Sequence, residues 1–342
     1  MHLDGSKKIE ILYILRESRD FMRNSRMSEM KFSIIIPMYN AETTIERCVA
    51  SFLEQKYSNI ELIMVDDHST DNTYDICLGL REKYEQIQLY QSPEKGVSAA
   101  RNLGMQHVSG DIIAFCDSDD TTVENSLFIL SSMFEKYTDV DVIVSGYNRV
   151  ALNGEVVQSF VYSKIKFWSS EQFMHHVLYD QKIMGSVCNK FFRKEILDEI
   201  KFDTTLSMCE DMHFLCKTLA NYKQTKILRL NSALYNYYEN TSSATNSLNK
   251  IFNADGKIEY VISLEAIIRD CKMKGYAYWL ARRAMFVIAS DTFINFEVSE
   301  EQKKEVLKIM KENSIIFCLL GFISPKSNIG RILRLFMRGI KK

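Results

Sequence analysis

The chain has 342 residues, with 43 Lys+Arg against 44 Asp+Glu for a formal net charge of -1, and it is 46% hydrophobic and 25% charged. These are the proportions of an ordinary folded protein, without the basic excess of a dedicated nucleic-acid binder. Thirteen glycines and three prolines exclude collagen-like, linker-rich and turn-dense all-β architectures, and eight scattered cysteines with no Cys-x-x-Cys pair signal neither a zinc site nor a disulfide framework.

At roughly 150 residues per domain, the length predicts about two folding units. The first 30 residues read as a polar helical extension, with Ile11, Leu12, Ile14 and Leu15 on one face. Their apolar stretch is too short and too interrupted for a signal peptide, and no run of about 18 apolar residues follows. The expectation is a soluble, cytoplasmic chain with reduced thiols.

From Phe32 the pattern alternates. Residues 32–36 form a continuous apolar run ending at Pro37, and residues 42–55 follow with helical spacing at Ile45, Val49, Phe52 and Leu53. Residues 60–65 predict a second buried strand, stopped by Asp66-Asp67, and Thr70 or Asp71 is expected to cap a helix reaching Lys83. A third strand at 87–90, a helix at 97–107 and a fourth strand at 111–116 complete the run. Apolar strands separated by helices predict a mostly parallel α/β sheet covered on both faces.

Residues 141–145 predict another strand, and Asn153-Gly154 marks a hairpin within 149–160. Helices are expected at 170–179 and 210–222, with short strands at 225–230 and 234–238. After Asn246 strand signals vanish, and three or four helices are expected. Met133, Phe134 and Tyr137, and likewise Tyr276, Trp279, Met285 and Phe286, have the spacing of core-facing helix positions.

In such sheets ligands bind beyond the carboxyl ends of the strands. That directs attention to Pro37-Met38-Tyr39-Asn40, Asp66-Asp67 and Asp117-Ser118-Asp119-Asp120. Three carboxylates within four residues repel one another, and a hard divalent cation such as Mg²⁺ or Mn²⁺ relieves the repulsion while bridging the phosphates of a nucleotide. A carboxylate just past the second strand is suited to accept a hydrogen bond from a base N–H. Ser69 and Thr70 are open to a ribose contact or a helix cap. Gly96-Val97-Ser98-Ala99-Ala100-Arg101 offers small side chains for close helix–sheet approach and one guanidinium for phosphate or local carboxylates. Glu210-Asp211 opens a later helix, where the macrodipole keeps a carboxylate ionised as a general base requires.

In this order and spacing, Ser33–Asn40, Val65–Asp71, Gly96–Asn102, Asp117–Asp120 and Glu210-Asp211 resemble the family 2 glycosyltransferases over about residues 31–240. The resemblance implies a GT-A (Rossmann-like) fold and transfer of a sugar from a nucleotide-sugar, a UDP-sugar by expectation, with inversion at the anomeric carbon. It places Pro37, Tyr39 and Asp67 in the nucleoside pocket, Asp117 at ribose or donor sugar, Asp119 on Mn²⁺ or Mg²⁺, and Asp211 as catalytic base. One carboxylate base and one metal then suffice, unlike the paired carboxyl groups of a retaining glycosidase. The expected acceptor is a glycan or lipid-linked hydroxyl in cell-surface polysaccharide synthesis.

Two positions depart from the family pattern: His68 stands where many members have Gly, and Leu234–Asn240 lacks the terminal Arg often found there. His213, two residues past the base, is open to a ligand or a structural role. The expected division is a helical extension at 1–30, a transferase domain at 31–245 (donor half about 31–120, acceptor half about 121–245) and a helical region at 246–342. Lys326, Arg331, Arg334, Arg338, Lys341 and Lys342 interleave with apolar residues and no acid, so residues 324–342 are expected to touch an anionic membrane surface, at the inner face of the cell membrane. The rival readings are a non-catalytic nucleotide-binding scaffold that keeps the fold and a sugar-1-phosphate nucleotidyltransferase. The latter would need a Gly-rich basic loop after the first strand, and Pro37–Asn40 has none.

Overall fold

The sheet grows outward from its first strand, β1 (Phe32–Met38), whose seven residues are all buried. A computed structural model describes residues 30–179, 185–222, 224–239, 252–253, 255–295 and 298–319. The extension at 1–29 and the tail at 324–342 lie outside the described residues.

β1 runs parallel to β2 (Ile60–Asp66) on one side and β4 (Ile112–Phe115) on the other, and β2 runs parallel to β3 (Ile87–Gln91). Helices α1 (Ile45–Leu53), α2 (Thr73–Lys83) and α3 (Val97–Gln106) make the crossovers that parallel pairing demands. α1 buries Ile45, Cys48, Val49 and Phe52, close to the face read from spacing. Each large apolar side chain fully removed from water contributes about 1.5–3 kcal/mol.

Beyond β4 the sheet becomes mixed. A two-residue strand β5 (Thr121–Thr122), helix α4 (Ser126–Lys136), β6 (Val142–Val150), β7 (Val156–Phe160), β8 (Lys166–Ser169), β9 (Lys190–Arg193) and β10 (Lys226–Tyr238) follow in the chain. The spatial order is β3-β2-β1-β4-β9-β6-β10-β5, with β7 paired to β6. β9 is antiparallel to both β4 and β6. The runs expected as two short strands near 225–238 are one bulged strand, with register shifts between Arg229 and Tyr235. The Asn153-Gly154 hairpin forms between β6 and β7, with Gly154 at φ +86°.

The chain divides into two compact units. The first draws on Met1–Phe167, Cys188–Ile196 and Lys226–Tyr238. The second draws on Trp168–Val187, Leu197–Thr225 and Glu239–Lys342, and its described elements are helices: α5 (Ser170–Tyr179), α6 (Glu210–Asn221), α7 (Glu259–Asp270), α8 (Gly275–Asn295) and α9 (Glu300–Leu319). Met285 and Phe286 are buried in α8. No described helix is long and apolar enough to cross a membrane, and Cys48, Cys77, Cys116, Cys188, Cys209, Cys216 and Cys271 are free thiols.

At the amino edge of the sheet, Glu61 gathers four strand starts. It accepts hydrogen bonds from Ser33 Oγ (2.6 Å), the Ser109 N–H (2.6 Å) and Oγ (2.7 Å), and Gln88 Nε2 (3.2 Å), with Lys31 Nζ at 2.6 Å. Burial raises its pKa, but these donors outweigh burial and lower it from 4.5 to about 2. A depressed carboxylate stabilises the fold fully above its unfolded pKa and loses that contribution as pH falls toward the folded value. Glu61→Gln should therefore cost roughly 2–3 kcal/mol at pH 7, somewhat below the full linkage value because Lys31 is partly solvated. Denaturant titrations of wild type and variant should converge between pH 4.5 and 2, and a gap that stays constant with pH would refute this account.

Candidate active site

The candidate residues of the first unit lie at or just past the carboxyl ends of parallel strands. Pro37 is buried within β1, while Tyr39, just past its end, is 60% exposed and presents its ring outward. Asn40 adopts φ +49° and ties two loops together: its N–H donates to Ser69 Oγ (3.1 Å), and its Oδ1 accepts the Thr70 N–H (2.8 Å). Asp71 Oδ1 accepts the N–H of Thr73 at the start of α2 (3.0 Å). Ser69, Thr70 and Asp71 thus shape the loop and the helix start.

The two acids after β2 separate. Asp66 is 2% exposed, with Oδ1 turned inward and lacking a hydrogen-bond partner among the described residues. Asp67 lies at the edge, and its Oδ1 accepts the N–H of Gly96 (2.8 Å). Burial raises the Asp67 pKa, and the Gly96 hydrogen bond opposes that rise. Gly96 sits at φ +113°, a conformation that side-chain-bearing residues rarely adopt. His68, next to Asp67, carries φ +59°. A side-chain-bearing residue strains the backbone there, which a glycine would not.

α3 links the two acidic edges. Its Gly104 packs so tightly on β1 that a methyl group there would lie 2.5 Å from Ile35 Cγ2. The close helix–sheet approach expected from Gly96–Ala100 is made at Gly104, one turn further along the helix. From the same helix Arg101, 3% exposed, places Nη2 3.0 Å from Asp117 Oδ1. α3 therefore holds Asp67 through the N–H of Gly96 and Asp117 through its one guanidinium.

The acidic turn after β4 divides its labour. Asp120 is 1% exposed, and its carboxylate accepts the Tyr235 hydroxyl (2.5 Å) and the Tyr238 N–H (2.8 Å). Burial, with Asp117 and Asp119 nearby, pushes the Asp120 pKa well up. Asp120 therefore serves the fold, leaving Asp117 and Asp119, both half-buried, at the strand end. Asp119 belongs to a turn braced by Arg47, which donates from Nη2 to the Asp119 carbonyl (2.6 Å) and lays its guanidinium 3.7 Å from the centre of the Tyr238 ring. Beneath the turn the thiols of Cys48 and Cys116 lie 3.8 Å apart, and Cys48 Sγ points at the Asp117 carbonyl. Arg47 escaped the sequence reading, because a lone arginine on an amphipathic helix gives no sign of a partner 72 residues away. Hard carboxylate oxygens on a braced turn, with Asp117 already charge-paired to Arg101, are a donor set that fits a single hard divalent cation on Asp119.

In the second unit Asp211 occupies the first turn of α6 and is 9% exposed, with Oδ2 accepting the Val187 N–H (3.1 Å). The preceding Cys209 adopts φ +55°. His213 is fully buried and sits 2.9 Å through Nε2 from Asp270 Oδ2. Asp203, His213 and Asp270 bring one ligand-type atom each to within 4.8 Å of one another. Arg269 already pairs with Asp270 (2.7 Å), and it is the main cause of that carboxyl's lowered pKa, with His213 adding to it. Thr205 occupies Asp203 (2.9 Å). This is the arrangement of a charge clamp tying α6 to the end of α7.

The family model described as glycosyl transferase family 2 matches residues 33–201. Over 258 residues the chain is 27% identical to the minor teichoic acid biosynthesis protein GgaB of Bacillus subtilis, covering 73% of this chain and 28% of that protein. Over 135 residues it is 37% identical to the UDP-Glc:alpha-D-GlcNAc-diphosphoundecaprenol beta-1,3-glucosyltransferase WfgD of Escherichia coli, covering 40% of this chain and 52% of that enzyme. The crystal structure of S. aureus TarS residues 1–349 in complex with UDP-GlcNAc superposes with a TM-score of 0.64 at 20% identity, over 84% of this chain and 81% of that one. The fold is α/β and GT-A-like, and the chain belongs to the family 2 glycosyltransferases.

Proposed function

We propose that the chain transfers a sugar, with inversion, from a nucleotide-sugar to a hydroxyl of a glycan or lipid-linked acceptor in bacterial cell-surface polysaccharide synthesis. The observation that carries this reading is the braced turn holding Asp117 and Asp119 at the carboxyl edge of the parallel sheet, with Asp67 at the end of β2, across β1 from it. The TarS complex contains UDP-GlcNAc, and the name of WfgD specifies UDP-Glc as donor and a diphosphoundecaprenol acceptor, which favours a UDP-sugar and a lipid-linked acceptor here.

In this reading Tyr39 and Pro37 flank the nucleoside, and Asp67 reads the base through its carboxylate. Asp117 contacts ribose or donor sugar. Asp119 would hold Mn²⁺ or Mg²⁺, which when bound would supply Lewis-acid stabilisation of the leaving diphosphate. The acceptor oxygen bonds to the anomeric carbon as the carbon–oxygen bond to the diphosphate breaks, its electron pair leaving with the nucleoside diphosphate. Asp211 takes the acceptor's proton. Residues 31–245 form the transferase domain in this scheme, with a donor half at about 31–120 and an acceptor half at about 121–245, and residues 246–342 are the helical region. The basic segment 324–342 meets the inner face of the cell membrane.

A panel of UDP- and GDP-sugars, scored by nucleoside diphosphate release with and without Mn²⁺, tests the reading. Binding without turnover for every donor and acceptor would leave only a scaffold that keeps the fold. Arg47 supplies a second check. Arg47→Lys keeps the charge but loses the planar stack on Tyr238 and the aimed donor. The turn should loosen, and donor KM should rise about tenfold, or ~1.4 kcal/mol, with kcat nearly unchanged. A fall in kcat at constant KM would contradict a positioning role.

A further inference from the structure

Of the ten large apolar side chains that the described residues expose, six lie within residues 152–167: Leu152, Val156, Val157, Val161, Ile165 and Phe167. The first four belong to the β6–β7 hairpin and the residue that follows it, and the last two to the strand-entry segment behind it. A loose loop exposes such groups by accident, but this segment is held firmly from within. Tyr147 and Phe160 stack at 4.6 Å across the β6–β7 pair, and Ser159 Oγ donates to Asn148 Oδ1 at 2.7 Å. Arg229 lays its guanidinium 3.8 Å from the Tyr162 ring centre and donates to the Lys164 carbonyl at 2.6 Å, while Tyr137 meets Phe167 edge-on at 5.2 Å. Tyr147, Phe160 and Tyr162 anchor the segment, while its aliphatic side chains and Phe167 reach the surface.

β7 is also an edge that lacks the usual protection. Its sequence, Val-Val-Gln-Ser-Phe, has neither charge nor proline, and among the described strands it pairs only with β6. Exposed edges of folded proteins normally carry lysines, prolines or bulges, and clustered apolar exposure marks an interaction surface. Charge identifies the occupant. From Val156 to Ser170 there is no acid, and Lys164 and Lys166 are both exposed. Arg149 on β6 stands opposite Gln158, and the acids that bound the stretch are Glu155 at the hairpin turn and Glu171 in the first turn of α5. A second copy would bring the same lysines against these, whereas an anionic lipid surface complements them, each basic group near it contributing roughly 1 kcal/mol.

We propose that the β6–β7 hairpin and residues 161–167 form a lipid-docking surface, seating apolar side chains in the headgroup region of an anionic membrane with Lys164 and Lys166 on the phosphates. The purpose rests on the proposed lipid-linked acceptor, since such a surface would keep the chain where that acceptor resides. The docking itself does not depend on it.

The test uses the full chain, with vesicles of phosphatidylcholine alone or containing about one-third phosphatidylglycerol. The variants are Val156→Ser/Val157→Ser and Lys164→Glu/Lys166→Glu. Wild type should sediment with the anionic vesicles only, and each variant should sediment at least about fivefold less, the lysine variant being affected most at low salt. Nucleoside diphosphate release with a soluble acceptor analogue should stay within about twofold of wild type. If wild type shows no turnover, the functional reading fails while the vesicle result still decides the docking. Variants that sediment as well as wild type would overturn the proposal and leave the basic tail as the attachment. A wild-type dimer that the valine variant converts to monomer in light scattering would also overturn it, in favour of a second copy on β7. Should the valine variant melt well below wild type, the lysine variant decides.

Discussion

Asp119→Ala should lose turnover by at least about 10³-fold, roughly 4 kcal/mol of transition-state stabilisation, with Mn²⁺ and donor saturating. The turn itself should survive the change. It is held by Asp120 on Tyr235 and Tyr238, by Arg47 on the Asp119 carbonyl and by Arg101 on Asp117, none of which uses the Asp119 carboxylate. The variant should accordingly melt near wild type and still bind the nucleoside portion of the donor, while its response to added Mn²⁺ flattens. Nucleoside diphosphate release across a metal titration reads both effects. Wild-type activity of the variant in excess EDTA would remove Asp119 from any metal role.

Asp211→Asn should lower kcat at least about 10²-fold and leave donor affinity nearly unchanged. The amide keeps an oxygen that can accept the Val187 N–H, so the local structure is conserved while the proton acceptor is lost. Saturating donor and acceptor isolate the chemical step from binding. Wild-type turnover under those conditions would reduce Asp211 to a residue that fastens the start of α6. Because His213 sits two positions further along α6 in a clamp with Asp270, substituting His213 is not an equivalent experiment: it would disturb the helix as well as the chemistry.

Much of the first half of the fold could be read directly, because β1, β2 and β4 are buried on both faces and their sequences are apolar runs, interrupted only by Ser33 and Glu61 and bounded by acids or turns. β9 could not. It begins with Lys190, a fully buried lysine donating to Asn189 Oδ1, and a polar pair at that position disguises a strand in the middle of a sheet. β10 was split in two by Arg229 and Asn231-Ser232, where the structure has a bulge rather than a break. At the site, the acidic turn stood out by composition, and the close approach of α3 by its small residues. The different fate of Asp120 did not, since it depends on a tyrosine hydroxyl 115 residues away. Asp66 and Asp67 also looked alike in sequence, and only the pleat of β2 separates a buried acid from one at the edge.

The place of β9 sets the order in which the molecule can be assembled. Among the described strands β4 and β6 are joined only through it: the carbonyl of Asn189 accepts the N–H of Ser145 and the N–H of Arg193 donates to the carbonyl of Asp141 on the β6 side, and the N–H of Lys194 donates to the carbonyl of Asp111 on the β4 side. A chain emerging from the ribosome makes β1 to β6 in succession, but the parallel half and the mixed half stay unconnected until residues 190–193 have been synthesised. β10 then adds its pairing with β6 from further along still. Such a high contact order slows folding, and it leaves two sheet margins unpaired while synthesis proceeds. A fragment ending near residue 167 contains Asp67, Asp117 and Asp119 yet lacks the four-residue splice on which its sheet depends.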